Sequence, residues 1–111
     1  MVLAEACYEN TRAFPREEAF GTTAQVRRAA ASIAANIAEG HGRESTGSFV
    51  QFLRVAQGSL KELETHLLLS VRVGLLQDRR GDALLARCDE LGRMSRALIR
   101  SLQRSPKERE R

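Results

Sequence analysis

From Phe49 onward, Leu53, Ala56, Leu60, Leu63, Leu67, Ser70 and Gly74 recur at alternating steps of four and three residues, close to four heptads of one seam. A strand would scatter these positions over both of its faces, whereas a helix gathers them into one stripe. Pro15 and Pro106 are the only prolines, and 90 residues lie between them. A proline-free stretch of that length with a period near 3.5 dictates long helices. Aromatics are 5% of the 111 residues and Trp is absent, so the core is aliphatic. That length supplies one domain with a core that needs no staple.

The other helices follow from the same spacing rule. Leu3, Cys7, Asn10 and Phe14 predict a short first helix over residues 1–14, stopped by Pro15. Thr22 or Thr23 is the expected N-cap of a second helix over 24–39, with Val26, Ala30, Ile33, Ile37 and Gly40 as its inner seam. Gly40-His41-Gly42-Arg43 is its stop and turn; a Gly-x-Gly can cradle phosphate, but no strand precedes this one, so capping is preferred. The third helix begins near Ser45 or Ser48 and ends at Gly74. Asp78 to Asp82, with Arg79, Arg80 and Gly81, reads as a loop. A fourth helix then carries the seam Leu84, Cys88, Leu91, Ser95, Leu98 and Leu102, widened by Leu85 and Ile99. The expected fold is all-α, an antiparallel up-down four-helix bundle over residues 1–104 with a charged, frayed tail over 105–111.

Catalysis and metal binding find little support. Cys7 and Cys88 lie on apolar stripes without a Cys-x-x-Cys or a flanking His pair, so they read as reduced core thiols and no metal site is expected. His41 and His66 fall in a turn and on an outer face, and Ser59 has no matching His. No enzyme and no cofactor is expected. The start Met-Val-Leu-Ala-Glu is no signal peptide, and the run Ala29 to Ala38 is too short to span a bilayer, so a cytoplasmic protein is expected.

Two helices break the rule that outward faces are polar. Ala24, Ala31, Ala35 and Ala38 line the outer face of the second helix, where a solvated helix would carry Lys, Glu or Gln. Helix propensity alone favours alanine, yet four of them in line also allow a second backbone to approach. Gly58 likewise points away from the third helix's seam and costs stability unless something packs on it. These five positions are the candidate oligomer interface. Glu64 sits near that seam, and Arg27 and Arg28 are its expected partners; a structural ion pair is preferred to a catalytic carboxylate, since no second acid or His shares its face.

Charge is lopsided. Residues 1–77 carry eight basic and eight acidic side chains, and residues 78–111 carry ten and six, so the whole excess of +4 lies in the last third. Arg93, Arg96, Arg100 and Arg104 fall within roughly 80° on the helical wheel, opposite the seam. Asp89 or Glu90 can pair with Arg93, which leaves a basic ridge that Arg79 and Arg80 extend. A solvated surface would also look like this. Guanidinium groups, however, suit bidentate phosphate contacts, and assembly would sum the ridges into one field. No aromatics interleave with the stripe, so the chemistry favours backbone binding over base readout.

Phe14-Pro15, Gly21-x-x-x-Gln25-x-Arg27-Arg28-Ala29, Ser32-Ile33-x-x-Asn36-Ile37-Ala38-Glu39-Gly40-x-Gly42-Arg43 and Phe49-x-x-Phe52-Leu53-x-x-Ala56-x-Gly58-Ser59-x-x-Glu62-Leu63-Glu64-Thr65-x-Leu67 carry a resemblance. In order and spacing they resemble the four-helix-bundle proteins encoded by intervening sequences in bacterial 23S ribosomal RNA genes. The accessory variability determinant proteins of diversity-generating retroelements look similar. The resemblance implies a barrel-shaped homopentamer with a basic, nucleic-acid-binding surface and, in the retroelement members, a reverse transcriptase partner. It carries over no catalytic residue. Relative to that pattern the first helix starts about two turns late, and Gln57 stands where a basic residue is common. The expectation is a non-enzymatic oligomeric adaptor that binds RNA or DNA backbone beside a nucleic-acid enzyme; the alternative is a protein-interaction scaffold with no nucleic-acid role.

Overall fold

The computed structural model describes residues 2–104. Met1 and the tail read over 105–111 lie outside the described residues. Four helices carry the fold: α1 (Val2–Thr11), α2 (Thr22–His41), α3 (Thr46–Arg72) and α4 (Asp78–Gln103), with a single 3-10 turn at Arg16–Glu18. Among the described residues there is no strand. Each helix runs antiparallel to its chain neighbour, and α4 returns beside α1, giving an up-down bundle 53 Å long.

The local reasons are mostly side chains at helix ends. Ser45 caps α3, its hydroxyl accepting from the Ser48 amide at 3.0 Å. Gly74 ends it in the left-handed region at φ 83°, and the Leu75 and Leu76 amides fold back onto the Ser70 carbonyl at 2.9 and 3.1 Å. The first helix stops earlier than expected. Thr11 turns its hydroxyl onto the Cys7 carbonyl at 2.8 Å, and residues beyond it leave the helix, although Phe14 still reaches the core.

Three further boundaries differ from the sequence reading. Gly21, not Thr22 or Thr23, is the N-cap of α2, and Thr23 is buried without a side-chain partner among the described residues. Gly40 lies inside α2 rather than in a turn, and it is a close-approach position, where a Cβ would stand 2.7 Å from that of Phe52. Asp78 to Asp82 is helix, not loop. Gly81 is a close-approach position, where a Cβ would meet Val71 Cγ2 at 2.3 Å.

The core is Val26, Ala29, Ala30 and Ile33 from α2, Ala56, Leu60, Leu63 and Leu67 from α3, Leu84 and Cys88 from α4, and Leu3 and Cys7 from α1. Both thiols are free and buried, and burial pushes Cys7 up to about 11 and Cys88 to about 12 from an ordinary 9.0. On α4 the buried line runs Gly81, Leu84, Cys88, Gly92, Ser95, Ile99. It drifts from the expected seam because a straight helix turns every 3.6 residues rather than 3.5, which leaves Leu98 39% exposed. Helix α1 covers one half of the channel between α2 and α4. The other half is an open apolar groove lined by Ala34, Ile37, Ala38, His41, Phe49 and Leu98.

Candidate nucleic-acid interface

Helix α4 presents Arg93, Arg96, Arg100 and Arg104 exposed on its outer side. Arg93 Nη2 reaches Asp89 Oδ2 at 3.4 Å, both two-thirds exposed, so its charge is partly offset. Arg96, Arg100 and Arg104 make no ion pair among the described residues. Arg79 and Arg80 do not join them. They occupy the first turn of α4, where Arg80 donates to Asn10 Oδ1 at 3.3 Å, and Arg93 lies about 20 Å further along the helix.

A residue absent from the sequence reading completes this flank. Arg54 and Gln57 of α3 face Arg96, Arg100 and Gln103 of α4 across a cleft, with buried Ile99 as its floor. Arg96 lies back over Gly92, whose missing Cβ would otherwise stand 3.1 Å from its Nη1 and 3.3 Å from Leu60 Cδ2. In sequence Arg54 is one surface charge on a long helix. Only the antiparallel register of α3 against α4 brings it to the ridge.

The expected ion pair takes different partners. Arg28 pairs with Glu62, not Glu64, and also donates to Gln25. Glu62 and Glu64 project about 200° apart on the helix, so only the former faces α2. Glu64 instead lines a small cleft with Gln57, Leu60, Lys61, Gly92 and Arg96, on the α4 side. Arg27 turns to α1, donating from Nε to Thr11 Oγ1 at 2.9 Å with its guanidinium 4.8 Å from the Tyr8 ring centre.

The small-residue positions lie on the surface. Ala31, Ala35 and Ala38 are exposed and Ala24 is half-buried. Gly58 has nothing within 4 Å of a would-be Cβ. Val55 and Leu69, each 48% exposed, share its line on α3, and a hydrogen bond of 2.8 Å between the Ser32 and Ser59 hydroxyls joins the two helices beneath.

No group of three or more metal-ligating side chains converges among the described residues, and none of the helices is long and apolar enough to cross a membrane. No protein of curated function matches the chain. Among solved structures, it is similar to a protein of unknown function from the S23 ribosomal protein family of Bacteroides thetaiotaomicron VPI-5482. The two share 22% identity over 88% of this chain and 89% of that one, with a TM-score of 0.77, a likeness of fold. Residues 1–97 match the family described as 23S rRNA-intervening sequence protein, and with that match spanning most of its length, the chain belongs to this family.

Proposed function

We propose that this protein is a non-enzymatic, self-associating bundle that binds the sugar-phosphate backbone of RNA through its α3–α4 flank, working beside a nucleic-acid enzyme. The carrying observation is the gathering of Arg54, Arg93, Arg96, Arg100 and Arg104 on one side, with Arg93–Asp89 their single ion pair among the described residues. Membership of an rRNA-linked family supports RNA as the polyanion. The exposed Ala31, Ala35, Ala38 and Gly58, with Val55 and Leu69, support a subunit contact on the other side, and a homopentamer is the proposed assembly. Repetition around a ring would multiply each ridge into one cationic platform.

Fluorescence anisotropy with a structured RNA tests this reading. Affinity is expected to fall at least about 100-fold between roughly 50 and 200 mM salt. The triple change Arg96→Glu, Arg100→Glu and Arg104→Glu is expected to cost at least another 100-fold or so at low salt. Absence of binding at low salt, or binding indifferent to the triple change, overturns it.

A second reading rests on the open groove between α2 and α4, whose apolar lining includes Leu98 and Phe49. There the protein is a scaffold for another protein and the arginines meet acidic patches. Partner capture that survives nuclease and high salt would favour it.

A further inference from the structure

Resting on the backbone-binding reading, we infer that the cleft between α3 and α4 seats consecutive phosphates of one single-stranded segment, with Arg54 closing it from the wall that α4 cannot supply. The cleft holds about 280 Å³, just below the range of small-molecule sites, which is room for a phosphodiester. Arg96 and Arg100 stand one turn apart, about 6 Å along α4, which is comparable to the step between neighbouring phosphates of a strand. Arg54 faces them from the opposite wall, so an entering phosphate meets guanidinium forks from two helices. A ridge on α4 alone offers no such convergence.

The remaining lining agrees with a backbone ligand. Gln57 and Gln103 offer amides that can donate to phosphate or accept from a ribose hydroxyl. Ile99 makes a floor without an aromatic ring, so bases gain nothing by stacking and face outward. Arg96 needs little ordering, since it already rests against Gly92. Beyond Gln57 the cleft meets Glu64, whose carboxylate lies with Lys61 and Arg96 and offsets part of their pull on phosphate.

Anisotropy with labelled oligouridylate, and with its duplex with oligoadenylate, reads the proposal on the full chain. Arg54→Gln is expected to weaken strand binding about tenfold and to lower the log–log salt slope by about 0.7. Arg72→Gln alters the same face of α3 about 27 Å away and is expected to change affinity less than about twofold. Glu64→Gln is expected to tighten binding several-fold. Equal losses from Arg54→Gln and Arg72→Gln, or a duplex bound more tightly than the strand, would overturn the cleft while the triple charge reversal still supports a diffuse polyanion surface. A wild-type chain that binds neither probe would sink both. Arg54 and Arg72 are exposed, and circular dichroism of each variant serves as the check on folding.

Discussion

One helix builds two opposite kinds of surface. Toward α2, the outer line of α3 is Val55, Gly58 and Leu69, on the flank that carries Ala31 and Ala35, with charge held in the Arg28–Glu62 and Glu39–Arg43 pairs. Toward α4, the same helix offers Arg54, Gln57 and Lys61 beside Arg96 and Arg100. The first surface has little to lose on desolvation and almost nothing to obstruct a neighbouring backbone. The second gathers like charges that resist any dry cover and are relieved by anions. Protein contact and polyanion contact are thus sorted onto separate flanks, and one can be altered without the other.

The strongest way to break this comparison is to charge the neutral side. Ala31→Glu with Ala35→Glu is expected to weaken self-association at least about 100-fold, by setting like charges across the contact. Sedimentation velocity measures it, and per-subunit binding of RNA should persist. A variant that stays assembled means that the subunits meet elsewhere.

A pH titration isolates the core that both flanks share. Cys7 and Cys88 titrate at about 11 and 12 in the folded chain against an ordinary 9.0, chiefly because burial disfavours the thiolate. Above pH 9 the unfolded chain has released protons that the folded chain keeps, so stability is intact below that point and declines as pH rises. The expected loss is on the order of 2 kcal/mol from each thiol by about pH 11. Urea midpoints should fall less steeply for Cys7→Ala with Cys88→Ala, since the arginines stay charged throughout. Parallel declines in the two proteins would locate the alkaline loss outside these thiols.

The smallest effect sharpens the comparison most. Gly58→Ala is expected to stabilise an isolated subunit by about 0.5–1 kcal/mol, through helix propensity alone, because the space beside it is open. If a second subunit packs there, the same methyl weakens assembly. Thermal melts at low and high protein concentration should then shift in opposite directions.

Sequence periodicity revealed α3 almost completely, because its seam repeats without interruption and Ser45 and Gly74 mark its ends chemically. The start of α4 was concealed by Gly81 among charged neighbours, a composition that normally signals a loop. Its real task, letting Val71 come close, depends on a residue of another helix. Three of the four ridge arginines were readable from spacing as lacking an ion-pair partner within α4, and among the described residues they have none. Arg54 was not, and neither was the turn of Glu64 toward α4, because both depend on how two helices align along their length. Local pattern reports what a helix offers; the pairing decides what it meets.

Gly40 and Gly81 lie near opposite ends of the bundle, and each receives a bulky neighbour from α3: Phe52 at one end, Val71 at the other. A slide of α3 by one turn, about 5.4 Å, in either direction would ram one of these side chains into helix backbone. The helix is keyed lengthwise like a bolt held by two pins. Whatever spacing separates the charges of Arg54 from those of Arg96 and Arg100 is thereby a ruler, whose calibration is set by two missing methyl groups far from where the measurement is made.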